Sequence, residues 1–203
     1  AASDVYKRQT YRKIAVVGLA STTHDDAPFE DNSWEKWGLP WDERSWPFLD
    51  RYFDIHPLEC IREAIPSFYS HGYEDRLRDL NPLYMQEAYP DIPNAIKYPL
   101  QRVSALVGDY FNSSVAYMIA LAIDEAVDEI GLWGIDMDGP GDEGHCNEYG
   151  DQRPNCEYLL GFARARGITI HLPPECPILK FRGEFPLGKL IPDYEHRYGY
   201  LRK

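Results

Sequence analysis

The sequence predicts an α/β protein: a single Rossmann-like domain whose mostly parallel sheet is flanked by helices, with an irregular C-terminal arm. Three observations carry that prediction. The run Lys13-Ile14-Ala15-Val16-Val17-Gly18 is short, apolar and followed by a small hydroxyl-rich turn, as a strand buried on both faces reads. Residues 113–172 alternate helix, strand, helix, strand, as crossover connections of a parallel sheet require. The cluster Asn112-Ser113-Ser114 opens an amphipathic helix, and the strand after it leads to Asp136 and Asp138. An open parallel sheet has its ligand crevice at that end of its strands.

Residues 1–10 read as a foreign or disordered leader and stand outside the fold. Asp4-Val5-Tyr6-Lys7-Arg8-Gln9 is what one frame of a transposon-end sequencing adapter encodes, which points to assembly from metagenomic DNA. The domain is expected over 11–175 and the arm over 176–203. After the first strand, Gly18-Leu19-Ala20-Ser21-Thr22-Thr23 is the turn, and His24 to Asp31 is a polar loop or short helix. Trp34 to Leu39 reads as a second strand and Pro40 to Pro47 as a loop. Arg51 to His56, closed by Pro57, reads as a third strand. Leu58 to Leu80 has helical stretches broken at Pro66 and near Gly72, and Leu83 to Gln86 reads as a fourth strand. Pro90, Pro93 and Pro99 punctuate a loop before a short helix from Leu100 to Val107.

The best helix runs from Ser113 to Glu129, with Val115, Ile119, Ala122, Ile123, Ala126 and Val127 on one stripe. Asn112 or Ser113 is its N-cap. Ile130 to Met137 is the next strand, and Asp138 to Arg153 a glycine- and acid-rich loop. Asn155 to Arg166 is a second helix, stopped by Gly167, and Ile168 to Leu172 is the last strand.

The composition bounds the function. Hydrophobic residues make up 44% and charged residues 27% of 203, values of one ordinary globular domain. A net charge of -12 repels phosphate backbones, so non-specific nucleic-acid or anionic-membrane binding is a poor expectation. A small anionic ligand needs only a few local donors. No apolar run approaches a membrane span. Cys60, Cys146, Cys156 and Cys176 form no C-x-x-C pair and read as reduced thiols of a cytoplasmic protein. The many aromatics either line a pocket or cover the edges of a proline-rich loop core.

No G-x-G-x-x-G or G-x-x-x-x-G-K-[ST] follows the first strand, which argues against a standard dinucleotide site or P-loop. Gly18, Ser21, Thr22 and Thr23 still offer N–H groups and hydroxyls to a phosphate or ribose; an ordinary capped turn is the other reading. Asn112, Ser113 and Ser114 at a helix start make a second anion-friendly place. Asp136 and Asp138, two apart at the strand end, suit ribose hydroxyls, a base role or a divalent metal; loop capping is the alternative. The sequence assigns no cofactor with certainty, and Mg2+ is the cation such acids would take. His145 in the long loop is the most available general base, and His56 is a second base or substrate-binding residue. The spacing of His145, Cys146 and Glu148 matches no zinc pattern, so no metal ligands are assigned. Gln152, Arg153 and Glu157 lead into the last helix as substrate-binding candidates. Arg153 there suits an anion, or else a salt bridge with Asp151 or Glu157.

The apolar strand with Gly18-x-x-Ser21, the stretch SVAYMIALAIDEAVDEIGLWGIDM over 114–137 and GITIHLP over 167–173 together resemble the small bacterial sialyltransferases that use CMP-activated sugars. Their broader relatives include archaeal-type 6-hydroxymethylpterin diphosphokinases and phage proteins. The resemblance implies that Ser21, Ser113, Ser114 and Tyr117 hold the nucleotide, that Gly134-Ile135-Asp136 is the family's Gly-Ile-Asp, and that His145 is the base. Two departures stand out: Ser114 replaces the Gly of a Ser-Gly pair, and the first loop lacks Asn-Gly-Pro. A weaker resemblance, to nucleoside deoxyribosyltransferases, rests on Glu157 with Gly161-Phe162-Ala163. The expected function is therefore a glycosyltransferase-like enzyme whose partner is a small nucleotide or nucleotide-sugar. The alternatives are a nucleoside or pterin-type transferase, and a non-catalytic phage interaction protein on the same fold. Oligomeric state is not fixed by the sequence.

Overall fold

The protein, seen in a computed structural model, is described over residues 11–41, 48–64, 72–137 and 148–180. Its centre is one seven-stranded sheet in the order β5-β4-β3-β2-β1-β6-β7. The strands are β1 (Lys13–Val17), β2 (Trp34–Gly38), β3 (Arg51–Phe53), β4 (Leu83–Met85), β5 (Ala95–Lys97), β6 (Glu129–Trp133) and β7 (Thr169–His171). Every neighbouring pair is parallel. The expected α/β architecture is present, and the sheet is parallel throughout.

Strand pleating divides the core into two layers. Ile14 and Val16 of β1, Trp37, Phe53, Ile130 and Leu132 face one side. There they meet α3 (Leu100–Val107), α4 (Ser114–Asp124) and α5 (Glu148–Ala165). Ala15, Val17, Tyr52, Leu83 and Met85 face the other side, against α1 (Leu58–Ala64) and α2 (Tyr73–Asp79). β1 is hydrogen-bonded on both edges and covered on both faces, so its residues 14–17 are at most 1% exposed.

Several boundaries differ from the sequence-based reading, each for a local reason. The best helix ends at Asp124, not Glu129, because Ala126 adopts a left-handed backbone (φ 52). Ala126 N–H then bonds to the Ile123 carbonyl and Val127 N–H to the Ala122 carbonyl, which is a Schellman stop built without glycine. The same motif ends α5, with Gly167 at φ 86 and Ile168 N–H on the Ala163 carbonyl. α5 starts at Glu148 rather than Asn155, so Pro154 lies inside it. β6 stops at Trp133 rather than Met137, since Gly134 turns the chain at φ 63. β3 stops at Phe53 rather than His56. The edge strand β5 lies in what reads as loop, too short and too exposed to leave a pattern.

The amino end of the sheet is tied by charge. Arg12 reaches Glu35 (2.8 Å) and Glu125 (3.0 Å), and Arg51 reaches the same two carboxylates at 2.6 Å each. The Arg51 guanidinium also lies 4.5 Å over the Trp37 ring. Glu125 closes α4, so this network pins the helix's C-terminal end to β2 and β3. Burial alone would push the Glu35 carboxyl up, but hydrogen bonds from Arg12 and Trp37 and the nearby arginine charges outweigh it and hold it below the usual range.

Two predictions follow from this architecture. A Cβ on Gly18 would lie 2.3 Å from the Gly134 carbonyl oxygen, whereas one on Gly161 meets nothing within 4 Å. Gly18→Ala is expected to lose roughly 2–4 kcal/mol in urea unfolding while Gly161→Ala is neutral or stabilising. Glu35 has a lowered folded-state pKa, so its contribution is complete above the unfolded value and fades as pH falls through the folded one. Between roughly pH 5 and 3 the wild-type protein should lose stability more steeply than Glu35→Gln; equal slopes would contradict the depression.

Candidate functional site

The crevice forms where β1 and β6 part. Strand order runs outward through β2 on one side and through β6 on the other, so this is the topological switch point of the sheet. The ladder continues one step past the strands: Gly18 N–H bonds to the Trp133 carbonyl (2.8 Å) and Ala20 N–H to the Gly134 carbonyl (2.9 Å). The two loops touch through glycine, since a Cβ on Gly134 would stand 2.6 Å from the Gly18 oxygen.

Two adjacent hydroxyls then stitch the loops together. The buried Thr23 hydroxyl accepts the Gly134 N–H at 2.8 Å, and the exposed Thr22 hydroxyl donates to Asp136 Oδ1 at 2.7 Å. Ser21 is exposed on the same rim. Asp136 is half-buried and stands beyond the end of β6, because the turn at Gly134 ends the strand earlier than the sequence suggests. Asp138 and His145 lie outside the described residues, so the expected acid pair and loop base have no geometry here.

α4 runs back along the sheet into β6, which puts its amino end beside this crevice. Ser113 is its N-cap, with Oγ accepting the Ala116 N–H at 3.2 Å. The same Oγ lies 3.9 Å from the Cys156 sulfur on α5. Asn112 is exposed and Ser114 half-buried next to the cap. Tyr117 packs: its ring meets Tyr98 at 4.8 Å and Phe111 at 4.7 Å, edge to face, and burial pushes its phenol up.

Arg153 and Glu157 form the alternative anticipated for them, an ion pair at 2.8 Å. Arg153 also donates to the carbonyls of Pro177 (2.6 Å) and Lys180 (3.1 Å), and Glu157 accepts the Leu179 N–H at 3.0 Å. Together they brace the 177–180 turn against α5. Gln152 is half-buried beside them.

His56 stands at the same end of the sheet, past β3. Its Nδ1 lies 2.6 Å from Oδ1 of Asp54, whose side chain is fully buried. The Tyr73 hydroxyl donates to Asp54 Oδ2 at 2.7 Å. Sequence reasoning missed Asp54. The available signal for Asp54 was an acid two residues before a His-Pro at a strand end.

Among the described residues, no group of three His, Cys, Asp or Glu side chains stands close enough to hold a metal ion. None of the described helices is long and apolar enough to cross a membrane. A shallow recess of about 250 Å³ opens at the opposite, amino end, lined by Arg12, Asn32, Trp34, Lys36 and Asp50 among others. Arg12 there is paired with Glu35 and Lys36 with Asp50 at 3.6 Å, and Lys13 lies 4.6 Å over the Trp34 ring. The carboxyl end, where loops converge on a switch point, is the candidate site.

No family model matches the chain, and no curated protein matches it. Solved structures of the sialyltransferase CstII from Campylobacter jejuni do. One is in complex with cytidine-5'-monophosphate, at 16% identity and a TM-score of 0.52, covering 89% of this chain and 84% of that one. Another is in complex with a substrate analogue, CMP-3FNeuAc, at 15% identity and a TM-score of 0.51, covering 89% and 85%. At that identity the likeness is one of fold.

The thiols next to the site give a further prediction. Burial pushes Cys156 up to about 12, while Cys60 is exposed. An aromatic disulfide reagent at pH 8 should modify Cys60 in the folded protein and reach Cys156 only on unfolding, as read by peptide mapping. Rapid labelling of Cys156 would mean that the α4–α5 contact opens.

Proposed function

We propose that the chain is a glycosyltransferase-like enzyme that binds a nucleotide-sugar across the carboxyl ends of β1 and β6. The observation that carries this reading is the Thr22–Asp136 hydrogen bond of 2.7 Å at the switch point. It sets a carboxylate and a hydroxyl at the place where open parallel sheets bind nucleotides. The fold likeness to CMP-binding sialyltransferase structures supports the same reading.

In this arrangement the Gly18 loop, with Ser21 and Thr22, borders the nucleotide, and Asp136 takes a ribose hydroxyl. The amino end of α4, at Asn112, Ser113 and Ser114, contributes a positive dipole end for the phosphate. Ser113 works through the cap that orders those N–H groups, since its hydroxyl is spent on Ala116. Gln152 completes the rim from the following helix, and Asp138, outside the described residues, keeps the nucleotide-binding role expected of it from the sequence. An acceptor hydroxyl attacks the sugar's anomeric carbon as the nucleotide phosphate leaves. Alignment of the two and stabilisation of the departing phosphate supply most of the rate. A histidine takes the acceptor proton: His56 stands at this end, and His145, outside the described residues, is the candidate the sequence names.

A deoxyribosyltransferase reading would need the Glu157 carboxylate in the crevice. Its Oε1 is instead engaged by Arg153 and the Leu179 N–H, so that reading is not adopted.

A thermal-shift panel of CMP, CDP, UDP, GDP, their sugars, ATP and free nucleosides, with and without magnesium, tests the proposal. A ligand at ~100 Kd stabilises the folded state by about 2.7 kcal/mol. The expected result is a rise in Tm with one nucleotide class, CMP being the first probe, that Asp136→Ala abolishes. No shift with any of them would leave a non-catalytic interaction protein on this fold.

A further inference from the structure

Three histidines are described, and they sit in three different settings. His24 is 1% exposed with its Nδ1 2.8 Å from Asp25, whose side chain is 80% exposed. There the ring is sealed and the acid faces water. His171 stacks on Trp133 at 5.0 Å, on an edge strand. His56 reverses the first arrangement: its side chain is 48% exposed, while the carboxylate on its Nδ1 is 0% exposed.

We propose that His56, oriented by Asp54, is the general base that takes the acceptor's proton. The argument starts from Asp54. A fully buried carboxylate is costly unless its oxygens are hydrogen-bonded. Asp54 Oδ1 accepts both the His56 N–H (3.2 Å) and the His56 ring (2.6 Å), and Oδ2 accepts the Tyr73 hydroxyl (2.7 Å). A carboxylate only accepts, so the ring presents Nδ1–H to it, and the neutral ring then carries its lone pair on Nε2, away from the buried acid. Trp41, from the loop after β2, stacks on the ring at 6.1 Å and 27°. The imidazole is therefore fixed in tautomer by Asp54 and in plane by Trp41. A base held by a third group is the general form of an activated acceptor site.

Position agrees with this role. β3 lies two strands from β1 in the sheet, a lateral offset of about 10 Å. A nucleotide seated between β1 and β6 with its sugar extended across β2 brings the anomeric carbon toward His56. In the step itself, Nε2 takes the hydroxyl proton as the acceptor oxygen bonds to the anomeric carbon. The bond from that carbon to the phosphate oxygen breaks, and its electron pair leaves with the nucleotide. The imidazolium so formed faces the Asp54 carboxylate, which stabilises it. Asp54 is a positioning residue, acting through the ring.

This inference rests on the nucleotide-sugar reading, and its test separates the two. The full chain is assayed for CMP release from CMP-N-acetylneuraminate, with water as the acceptor, alongside the Tm shift with CMP. His56→Gln replaces a half-exposed side chain and should fold. It is expected to lower kcat on the order of 10²-fold or more while the CMP-induced shift stays unchanged. Asp54→Asn should lower kcat with KM little changed. In histidine-¹⁵N spectra it should move His56 out of the Nδ1–H tautomer that the wild type shows. Wild-type turnover in His56→Gln, or a wild-type ring with its proton on Nε2, overturns the assignment of the base. If no nucleotide of the panel shifts Tm and no nucleotide-sugar is turned over, the transferase reading fails and takes this inference with it.

Discussion

The backbone contact between Gly18 and Gly134 is the constraint on which the candidate site depends. At that point the two central strands must stop pairing and turn outward, yet their last hydrogen bonds still cross between them. Atoms at this separation leave no room for a side chain on either residue. The hydroxyls of Thr22 and Thr23 are useful only because the glycines bring their loop within reach of β6. Thr23 fixes the turn from inside, and Thr22 fixes Asp136 from outside. A carboxylate placed by neighbours in this way has little side-chain freedom left.

The two ends of the sheet are built on different principles. The amino end is closed by charge, with two arginines sharing two carboxylates and one aromatic ring. The carboxyl end is held by neutral caps, glycine turns and the buried Asp54, bonded by Tyr73 and the half-exposed His56. α4 connects them. Glu125 anchors its last turn and Ser113, against Cys156, its first. The helix therefore cannot slide, and its amino end stays where the crevice needs it. Partly buried pairs of this sort are screened less by salt than surface ones.

Much of the fold was legible in the sequence because strand burial leaves a direct mark. Residues 13–17 are apolar in an unbroken run because β1 is covered on both faces. The stop at Gly167 was legible because glycine is the residue that motif prefers. The identical stop at Ala126 was not, because alanine gives no hint that it will take a positive φ. Pro154 misled for a related reason: a proline at a helix start is the common case, and here it falls well inside α5. At the site, hydroxyls and acids in one segment could be grouped by eye. Asp54 could not be weighed, since its meaning comes from Tyr73, 19 positions away. Arg153 and Glu157 carried the right charges, but their use as a brace depends on carbonyls at 177 and 180 that no spacing rule connects to them.

The sheet's two outer strands have a consequence for the protein among its own copies. β5 and β7 are three residues long, and each is exposed at both of its faces in part. Lys97 on β5 is further engaged with Glu87 at 2.6 Å. A visiting strand would find few backbone groups to pair with and a charged side chain at the rim. Short, charged edges of this kind resist edge-to-edge growth. A sheet whose central strands are so apolar thus offers, among its described residues, only three-residue margins to a visiting strand.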